Sequence, residues 1–334
     1  MKRWFKVFLL SLSVVAVAVI ASASWLYVKA ISQPLQFGDE IYLVERGDSI
    51  SSIAKKLIDK KVITNPYPLK LYVRLKKVGR YIKSGEYKFP DGITISEFVD
   101  RLVSGKGQIG IKITIIEGWT FRQMRNAINE APKLEKLTKS WTDKQIMEEL
   151  GHPYLHPEGQ FYPDTYQYRK GDTDLSIYRK AFLLMKDKLD YAWENRKEDI
   201  QIKDPYEALI MASIIEKESQ VWDEQPLISG VFENRLKVGM RLQTDPTVIY
   251  GLGDEYQGNL RHKHLKQDTP YNTYTRHGLT PTPISLPGFP ALLAAVQPEE
   301  TEHFYFVARG EGRHKFSRTL KEHNAAVRKY ILNK

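Results

Sequence analysis

The chain has 334 residues, no cysteine, and 50 Lys plus Arg against 40 Asp plus Glu, for a formal net charge of +10. The absence of cysteine excludes a disulfide scaffold, a thiol nucleophile and a Cys-ligated metal centre. A content of 42% hydrophobic and 27% charged residues is ordinary for a globular protein and excludes wholesale disorder or a many-span transporter. The positive charge indicates an anionic neighbour, such as nucleic acid, an acidic polymer or a membrane surface.

The first 28 residues have the pattern of a membrane anchor. Residues 1–6 include three basic side chains, and residues 7–28 contain no charged residue. An α-helix rises ~1.5 Å per residue and needs roughly 20 apolar residues to cross the hydrocarbon, so this run predicts one transmembrane helix. Basic residues stay on the cytoplasmic side, and Trp25 and Tyr27 suit the opposite interface. The pattern therefore predicts a single-pass protein with its N-terminus in the cytoplasm and its remaining residues outside.

A cleaved signal peptide is the alternative, because Ala21-Ser22-Ala23 resembles a processing site. The apolar run continues past that site to Val28, which favours the anchor. Either interpretation exports the folded part of the chain to a compartment without genomic DNA. No nucleic-acid-binding motif is visible, so an acidic wall polymer or anionic lipid is the expected neighbour and nucleic acid is not.

Residues 29–37 read as a linker, and residues 38–109 as a small α+β subdomain. Strand and helix patterns alternate through this stretch. The predicted elements are strands at 41–44 and 85–89 and helices at 49–57, 67–77 and 95–103. The strand, the Gly47-Asp48 turn and the helix that starts at Ser49 resemble the opening of LysM wall-glycan-binding modules, over residues 42–57. The alternative is a packing domain in which Gly47 makes a turn and Ser49 caps a helix.

Residues 110–334 read as a larger α+β domain that would carry the chemistry. Its predicted strands are 111–116, 303–307 and 314–317, and its predicted helices are 121–129, 143–150, 174–195, 205–218 and 320–332. Serine-hydrolase, phosphate-binding and zinc-protease motifs are missing from it. The pairs His152/His156 and His262/His264 could form a zinc site with Glu158, but Pro153 interrupts the helix that the first pair requires. We therefore predict no metal and no cofactor.

Acid–base catalysis by carboxyl groups is the class of chemistry that is left, and the apolar helix 205–218 holds the best candidate residues for it. At helical spacing Glu218 lies over Met211, Ile214 and Ile215, whereas Glu216 lies on another side of the helix. Apolar neighbours remove water from a carboxyl group and raise its pKa, as a general acid near neutral pH requires. The alternative is that both acids only solubilise the helix end. Negative charge opposes the helix dipole there, which favours a functional explanation.

The polar and aromatic segments around this helix have the composition of a carbohydrate cleft. Aromatic faces contact sugar rings, and amide, carboxylate and guanidinium groups bind hydroxyl and carboxyl groups. The candidate substrate-binding residues are Asp164, Tyr166, Arg241, Gln243, Asp245, Tyr271, Asn272 and Tyr274. Each of them could instead be a structural hydrogen-bond anchor.

Six ordered motifs over nearly the whole chain resemble the endolytic murein transglycosylases, the MltG or YceG-like family. They are Glu117-Gly118, the Phe161–Tyr166 cluster, Ala212–Glu218, Met240–Thr247, Tyr271–Tyr274 and Phe304–Val307. The resemblance implies an enzyme of the bacterial cytoplasmic (inner) membrane that cuts nascent peptidoglycan strands internally and leaves 1,6-anhydro-N-acetylmuramic acid ends. It also implies one essential glutamate, the second acid of Glu216-Lys217-Glu218, which is Glu218 here.

Two other functions stay open from the sequence. One is a non-catalytic membrane-anchored scaffold that binds wall glycan through the LysM-like part and recruits peptidoglycan synthases such as penicillin-binding proteins. The other is a two-carboxylate muramidase that uses Glu218 and Asp245 and produces reducing ends. The expected partners are peptidoglycan glycan strands in every case, together with synthases.

Overall fold

The protein is an α+β protein in which short strands accompany many helices. The computed structural model describes residues 2–332, without the side chains of residues 2, 3, 5–7 and 9. The basic side chains of the predicted stub, residues 1–6, lie outside that description. The helices are α1 (Lys2–Ile31), α2 (Ile50–Asp59), α3 (Tyr67–Lys76), α4 (Ile95–Ser104), α5 (Phe121–Glu130), α6 (Asp143–Glu149), α7 (Asp174–Glu194), α8 (Pro205–Glu218), α9 (Gln225–Lys237), α10 (Asp245–Leu252), α11 (His262–Lys266), α12 (Phe289–Val296) and α13 (Leu320–Val327).

Six strands pair two by two in the described part of the chain. They are β1 (Tyr42–Val44), β2 (Gly85–Tyr87), β3 (Ile111–Thr114), β4 (Thr165–Tyr168), β5 (Tyr305–Gly310) and β6 (Arg313–Ser317). The sheets are β1–β2, β3–β4 and β5–β6. The α+β class predicted from the sequence is confirmed. No bounds were predicted for the helices α9, α10, α11 and α12 or for the strand β4.

Two compact units make up the chain. The N-terminal unit contains the chain up to residue 111 together with residues 168–172, and the C-terminal unit contains residues 112–167 and the chain from residue 173 onward.

From Leu10 to Val28 helix α1 carries no charged residue, and this stretch is not buried inside the protein. Residues Leu10–Ile31 form a stretch of 22 residues that is long and apolar enough to cross a membrane, against the predicted 7–28. Residues 29–37, predicted as a linker, are the last turn of α1 and a short segment that enters the N-terminal unit. Leu35 is buried there, and its N–H and C=O bond to Ile93 and Gly92 at 2.8 Å each.

The core of the N-terminal unit lies between the β1–β2 pair and helices α2 and α4. Ile53 and Leu57 of α2 and Phe98 and Leu102 of α4 are fully buried in it. Ser49 caps α2, because its hydroxyl accepts a hydrogen bond from the Ser52 N–H at 3.1 Å. The LysM-like glycan affinity of this unit stays a prediction.

Helix α8 is the centre of the C-terminal unit. Asp204 caps its first turn and Pro205 begins it, and every residue from Ala208 to Glu216 is buried. Helices α7, α9 and α12 pack around it. A helix that is apolar all round needs such enclosure, since no face of it can be left in water. Outside this buried stretch lie the first turn of α8 and its last two residues, Lys217 and Glu218, which reach the edge of the core.

Candidate active site

The end of α8 holds two carboxyl groups in different surroundings. Glu216 is buried, and its Oε2 accepts a hydrogen bond from the Gly288 N–H at 3.0 Å. Glu218 is the last residue of the helix, and its Oε1 accepts a hydrogen bond from the Thr244 hydroxyl. The two side chains therefore contact different segments, since Gly288 precedes α12 and Thr244 precedes α10.

The Glu218 side chain lines a cleft of about 540 Å³. The segment before α10 supplies one part of its wall, and the β5–β6 hairpin and the C-terminal helix α13 supply much of the rest. The lining residues are Glu218, Arg235, Gln243, Asp245, Tyr274, Tyr305, Phe306, Val307, Ala308, His314, Leu320, His323, Val327 and Ile331. The cleft thus combines one partly buried carboxyl group with polar and aromatic side chains, as a sugar-binding site does.

The pKa of Glu218 is raised from 4.5 to about 7. Burial is the main cause, because loss of water disfavours the charged carboxylate. The hydrogen bond from Thr244 lowers this pKa, the negative charge of Asp245 raises it, and the positive charge of Arg235 lowers it. The result is a carboxyl group that can both give and take a proton near neutral pH.

A network of threonines fixes the hydroxyl group that contacts Glu218. The Thr244 N–H donates to the Thr273 Oγ1 at 3.1 Å, and the Thr247 hydroxyl bonds both the Thr244 carbonyl at 2.7 Å and Thr273 at 2.8 Å. All three threonines are buried. Gln243, just before them, has a φ of +48°, a left-handed conformation that a glutamine rarely adopts. Backbone strain of this kind is held in place only where the surroundings determine it, as at a functional site.

Asp245 and Tyr274 form a second polar pair in the cleft. The Tyr274 hydroxyl donates to Asp245 Oδ1 at 2.6 Å. Asp245 is the first residue of α10 rather than part of a polar loop, so its charge also lies at a helix N-terminus, where negative charge is stabilised. Together with Gln243, these are the predicted substrate-binding residues that the structure brings to Glu218.

Arg235 is a cleft residue that sequence reasoning did not select. It is buried on α9, and its Nε donates to the Phe304 carbonyl at 2.6 Å while Nη1 donates to the Leu242 carbonyl at 2.5 Å. Its guanidinium lies 5.4 Å from the centre of the Tyr305 ring. Arg235 therefore ties the start of β5 to the segment that carries Thr244, and it places a positive charge beside Glu218. A lone arginine at a helix end offers no sequence signal for this.

Tyr305 and His323 form an aromatic wall that was also missed. Their rings stack with centres 5.3 Å apart and planes 25° apart. Burial and the charge of Arg235 lower the pKa of His323, which favours the neutral form of its imidazole. Within the part of the chain that the structure describes, its Nδ1 is buried and has no hydrogen-bond partner. The residues come from a strand and a helix that the sequence predicts, but only the fold brings them together.

The β5–β6 hairpin is held against the segment that follows α8. The Arg313 Nη2 lies 3.0 Å from Asp223, and the His314 N–H and Nδ1 contact Glu224 Oε2 at 3.1 and 3.0 Å. His314 itself lines the cleft. These contacts fix the hairpin wall relative to the helix that carries Glu218.

Two predicted substrate-binding residues, Tyr271 and Asn272, lie outside the lining of this cleft. Asn272 is fully buried, and its amide donates to the carbonyl groups of Gln267 at 2.7 Å and Leu265 at 3.1 Å. The Tyr271 hydroxyl bonds Thr282 at 2.9 Å. Both residues therefore act as anchors of the loop that presents Tyr274.

The other three, Asp164, Tyr166 and Arg241, are also not among the lining residues. Arg241 is exposed and its Nη1 donates to the Tyr274 carbonyl at 3.1 Å. Tyr166 is buried, and its hydroxyl donates to the Tyr162 carbonyl at 2.6 Å. Asp164 is exposed, and its Oδ1 accepts from the Thr165 N–H at 2.6 Å.

The residues weighed for a zinc site serve other purposes. Glu158 is buried and accepts hydrogen bonds from the Phe121 N–H at 2.8 Å and the Tyr250 hydroxyl at 3.1 Å. Burial raises its pKa to about 7. The His156 Nδ1 accepts from the Glu158 N–H at 3.2 Å. Among the described residues no group of three or more His, Asp or Glu side chains could hold a metal ion.

Comparison with known proteins gives a consistent result. Residues 42–329 match the model of the YceG-like family. The chain is 32% identical to an endolytic murein transglycosylase of Bacillus subtilis (strain 168), over 94% of this chain and 92% of that protein. It is 23% identical to an endolytic murein transglycosylase of Streptococcus pneumoniae (strain R6), over 87% of this chain and 58% of that protein. A crystal structure of a yceG-like protein from Listeria monocytogenes is similar with a TM-score of 0.53 and 31% identity, over 86% of this chain and 98% of that one.

Proposed function

This chain belongs to the YceG-like family and is an endolytic murein transglycosylase, and from that premise we propose that Glu218 is its catalytic acid and base. A murein transglycosylase is a lyase that acts on peptidoglycan. The observation that carries the assignment is the position of Glu218: a carboxyl group with a pKa near 7 at the wall of a polar and aromatic cleft.

The reaction needs one carboxyl group because the substrate supplies its own nucleophile. The protonated Glu218 gives its proton to the oxygen that leaves between N-acetylmuramic acid and N-acetylglucosamine. The resulting carboxylate then takes the proton of the C6 hydroxyl while that oxygen bonds to C1 of the same muramic acid. The product is a 1,6-anhydro end, and Glu218 is protonated again. An intramolecular attack of this kind gains effective concentration and needs no water.

The neighbours of Glu218 suit this cycle. The Thr244 hydroxyl donates to the carboxyl group and holds its orientation. Arg235 stabilises the carboxylate that forms in mid-reaction, and Asp245 opposes it, so the two charges set the pKa in opposite directions. The sugar residues on either side of the cleaved bond are bound by the other lining residues, namely Gln243, Tyr274 and the Tyr305–His323 stack.

The muramidase alternative has one specific observation behind it, since Asp245 lines the same cleft as Glu218. A second carboxylate could activate water or form a glycosyl intermediate, and either route would leave reducing ends. The Tyr274 hydroxyl already donates to Asp245, which favours a charge-setting and positioning role over attack on the sugar. The names of the relatives give the scaffold alternative no support.

Chemical identification of the new sugar terminus tests the proposal. Purified glycan strands treated with the protein should yield anhydro-muropeptides by mass spectrometry, and Glu218→Gln should fold normally and yield none. Reducing ends from the wild-type protein would instead establish a two-carboxylate hydrolase. Undiminished anhydro product from Glu218→Gln would remove Glu218 from the role.

The same proposal includes the cellular location of the enzyme and its protein partners. Helix α1 spans the cytoplasmic membrane with residues 1–6 inside, and the chain after α1 lies on the outer side, where the peptidoglycan strand is. An endolytic enzyme at that surface can terminate or trim strands during synthesis, which makes peptidoglycan synthases such as penicillin-binding proteins the expected protein partners.

A further inference from the structure

Helix α3 in the N-terminal unit has two opposed apolar faces, and only one of them is used by the core. Leu69, Tyr72 and Val73 are buried. On the outside, Tyr67 is 74% exposed, Leu71 44% and Leu75 63%. Positions i, i+4 and i+8 follow one side of a helix, so the exposed side chains form a single stripe. We call Tyr67, Leu71 and Leu75 the α3 stripe.

The segment that carries the α3 stripe is strongly basic. Residues 67–83 contain six basic residues and no acidic one. The first five of them are Lys70, Arg74, Lys76, Lys77 and Arg80. None of these five forms an ion pair with an acidic side chain of the described residues. An apolar stripe flanked by Lys and Arg, with an aromatic residue at its end, is the pattern of a helix that lies in a membrane interface.

The position of α3 relative to the membrane anchor is fixed within the N-terminal unit. Leu26, Tyr27 and Ala30 of α1 share one groove of about 460 Å³ with Tyr67, Leu71 and other residues of the α3 segment. Ile31 packs against the core of the unit, and Leu35 is buried in it. The chain therefore passes from the membrane-spanning helix into the folded unit without a flexible spacer.

This packing also sets the depth of the α3 stripe. Leu26, Tyr27 and Ala30 belong to the last two turns of the candidate span Leu10–Ile31. Trp25 lies in the same turns, with Lys29 Nζ 5.2 Å from the centre of its ring. Trp, Tyr and Lys are the residues that mark the boundary between hydrocarbon and headgroups. A helix packed at this level contacts headgroups and the upper acyl chains.

We propose that α3 lies in the outer interface of the cytoplasmic membrane, with Tyr67, Leu71 and Leu75 among the lipid chains and its basic residues on anionic phospholipid headgroups. The inference rests on the membrane anchoring proposed above. The occupant is a lipid surface because the stripe continues the apolar surface of α1 and because unpaired positive charge surrounds it. The N-terminal unit is thereby held against the membrane instead of moving freely on its anchor.

Site-directed labelling of the full-length protein tests this directly, because the chain has no native cysteine. Single-cysteine variants Leu71→Cys and Leu75→Cys receive a nitroxide label in vesicles of phosphatidylethanolamine and phosphatidylglycerol. We expect their spectra to show high accessibility to oxygen and low accessibility to an aqueous nickel chelate. Leu183→Cys is the matched control, since Leu183 is a leucine of α7 in the other unit with 53% exposure. Equal nickel accessibility at positions 71, 75 and 183 would overturn the proposal.

A label at Val17→Cys separates this inference from the anchoring. Protection at position 17 with exposure at 71 and 75 would refute the α3 contact and leave the anchor intact. Exposure at position 17 would refute both. Spin–spin coupling between labels at position 71 of two molecules would show that a second copy covers the stripe, which also contradicts the lipid proposal. None of these readouts depends on peptidoglycan cleavage.

Charge reversal tests the headgroup contact. Lys70→Glu with Arg74→Glu should raise the nickel accessibility at position 71, because each basic residue near an anionic surface changes the ratio of bound to released states about five-fold. Lys55→Glu with Lys106→Glu makes the same change of net charge at two other exposed positions of the unit and should have little effect. Equal protection of position 71 in purely zwitterionic vesicles would refute the role of the basic residues.

Discussion

Glu216 and Glu218 lie two residues apart on one helix, and they show how differently two similar carboxyl groups can be used. Burial raises the pKa of each to about 7. Glu216 is enclosed, and it accepts from the Gly288 N–H at the start of α12. Glu218 faces the cleft and is contacted by the Thr244 hydroxyl. A raised pKa therefore does not by itself identify a catalytic acid, and access to the cleft is the feature on which the proposed assignment to Glu218 rests.

The surroundings of Glu216 indicate a structural role, in which it connects two helices. A Cβ on Gly288 would come within 2.2 Å of Glu117 Oε1, so a larger residue there would have to displace the Glu117 side chain. The pKa of Glu117 is also raised by burial, and its charge raises the pKa of Glu216 further. Carboxyl oxygens at a helix N-terminus bind its free N–H groups. Glu216 thus joins α8 to α12, and its buried side chain is not accessible to a sugar.

The largest expected effect is the loss of activity when the Glu218 carboxyl group is replaced, measured against the same replacement at Glu216. Glu218→Gln should lower the rate of anhydro-muropeptide release by about 10²- to 10⁴-fold, the usual contribution of a general acid. Glu216→Gln keeps an oxygen that can accept from the Gly288 N–H, so we expect a folded enzyme with an activity within a few-fold of wild type. Rates on purified glycan strands, with circular dichroism as the folding check, compare the two. Equal inactivation of both folded variants would contradict the distinction drawn between them.

A smaller effect should follow from loss of the Thr244 hydroxyl. Thr244→Val keeps the shape of the side chain and removes the donor to Glu218, which costs about tenfold in rate for a hydrogen bond to a charged group. The same bond lowers the pKa of Glu218, so its loss should move the upper limb of the pH–rate profile to higher pH. Thr244→Ser retains the hydroxyl and should restore both the rate and the limb. An unchanged limb in Thr244→Val would show that the hydroxyl does not act through Glu218.

Asp245→Asn should have a weaker effect on the rate, and it should shift the pH–rate profile in the direction opposite to Thr244→Val. The charge of Asp245 raises the pKa of Glu218, so its removal should move the upper limb to lower pH and reduce activity at pH 8 by a few-fold. Tyr274→Phe is the control, because it removes the hydrogen bond to Asp245 and keeps its charge. Complete loss of activity at every pH in Asp245→Asn would instead point to a second catalytic carboxylate.

The sequence was most informative where local rules decide the structure. The cap Ser49, the proline that begins α8 and the apolar character of α8 predict those helices within two residues of their bounds. Helix α12 was missed because its eight residues, Phe289–Val296, are apolar throughout and show no periodicity. Helix α10 was missed because Asp245-Pro246 reads as a loop, although both residues are common in a first helical turn.

The site was predictable in one part only. The segment that contains Gln243 and Asp245 lies close to α8 in the chain, and its polar character is visible in the sequence. Arg235, Tyr305 and His323 are ordinary residues of their helices and strand, and only tertiary packing turns them toward Glu218. Tyr166 and Asn272 illustrate the reverse case, since aromatic and amide groups that suit a sugar also satisfy buried backbone groups.

The last expected effect concerns stability rather than rate. Glu216 and Glu218 each have a folded-state pKa near 7, above the 4.5 of an exposed glutamate, so the folded state binds more protons between these values. The free energy of unfolding should therefore fall as the pH rises from about 4.5 to about 7, by at most about 3 kcal/mol for each group. Glu218→Gln should melt at a higher temperature than wild type at pH 8 and at nearly the same temperature at pH 5, in thermal scans followed by circular dichroism. Glu216→Gln should gain less at pH 8, because the amide makes a weaker bond to the Gly288 N–H than the carboxylate does. The contrary result would be a difference in melting temperature between the wild-type protein and Glu218→Gln that is the same at pH 8 and at pH 5. Glu218 would then be an ordinary ionised surface acid and unsuited to the first proton transfer.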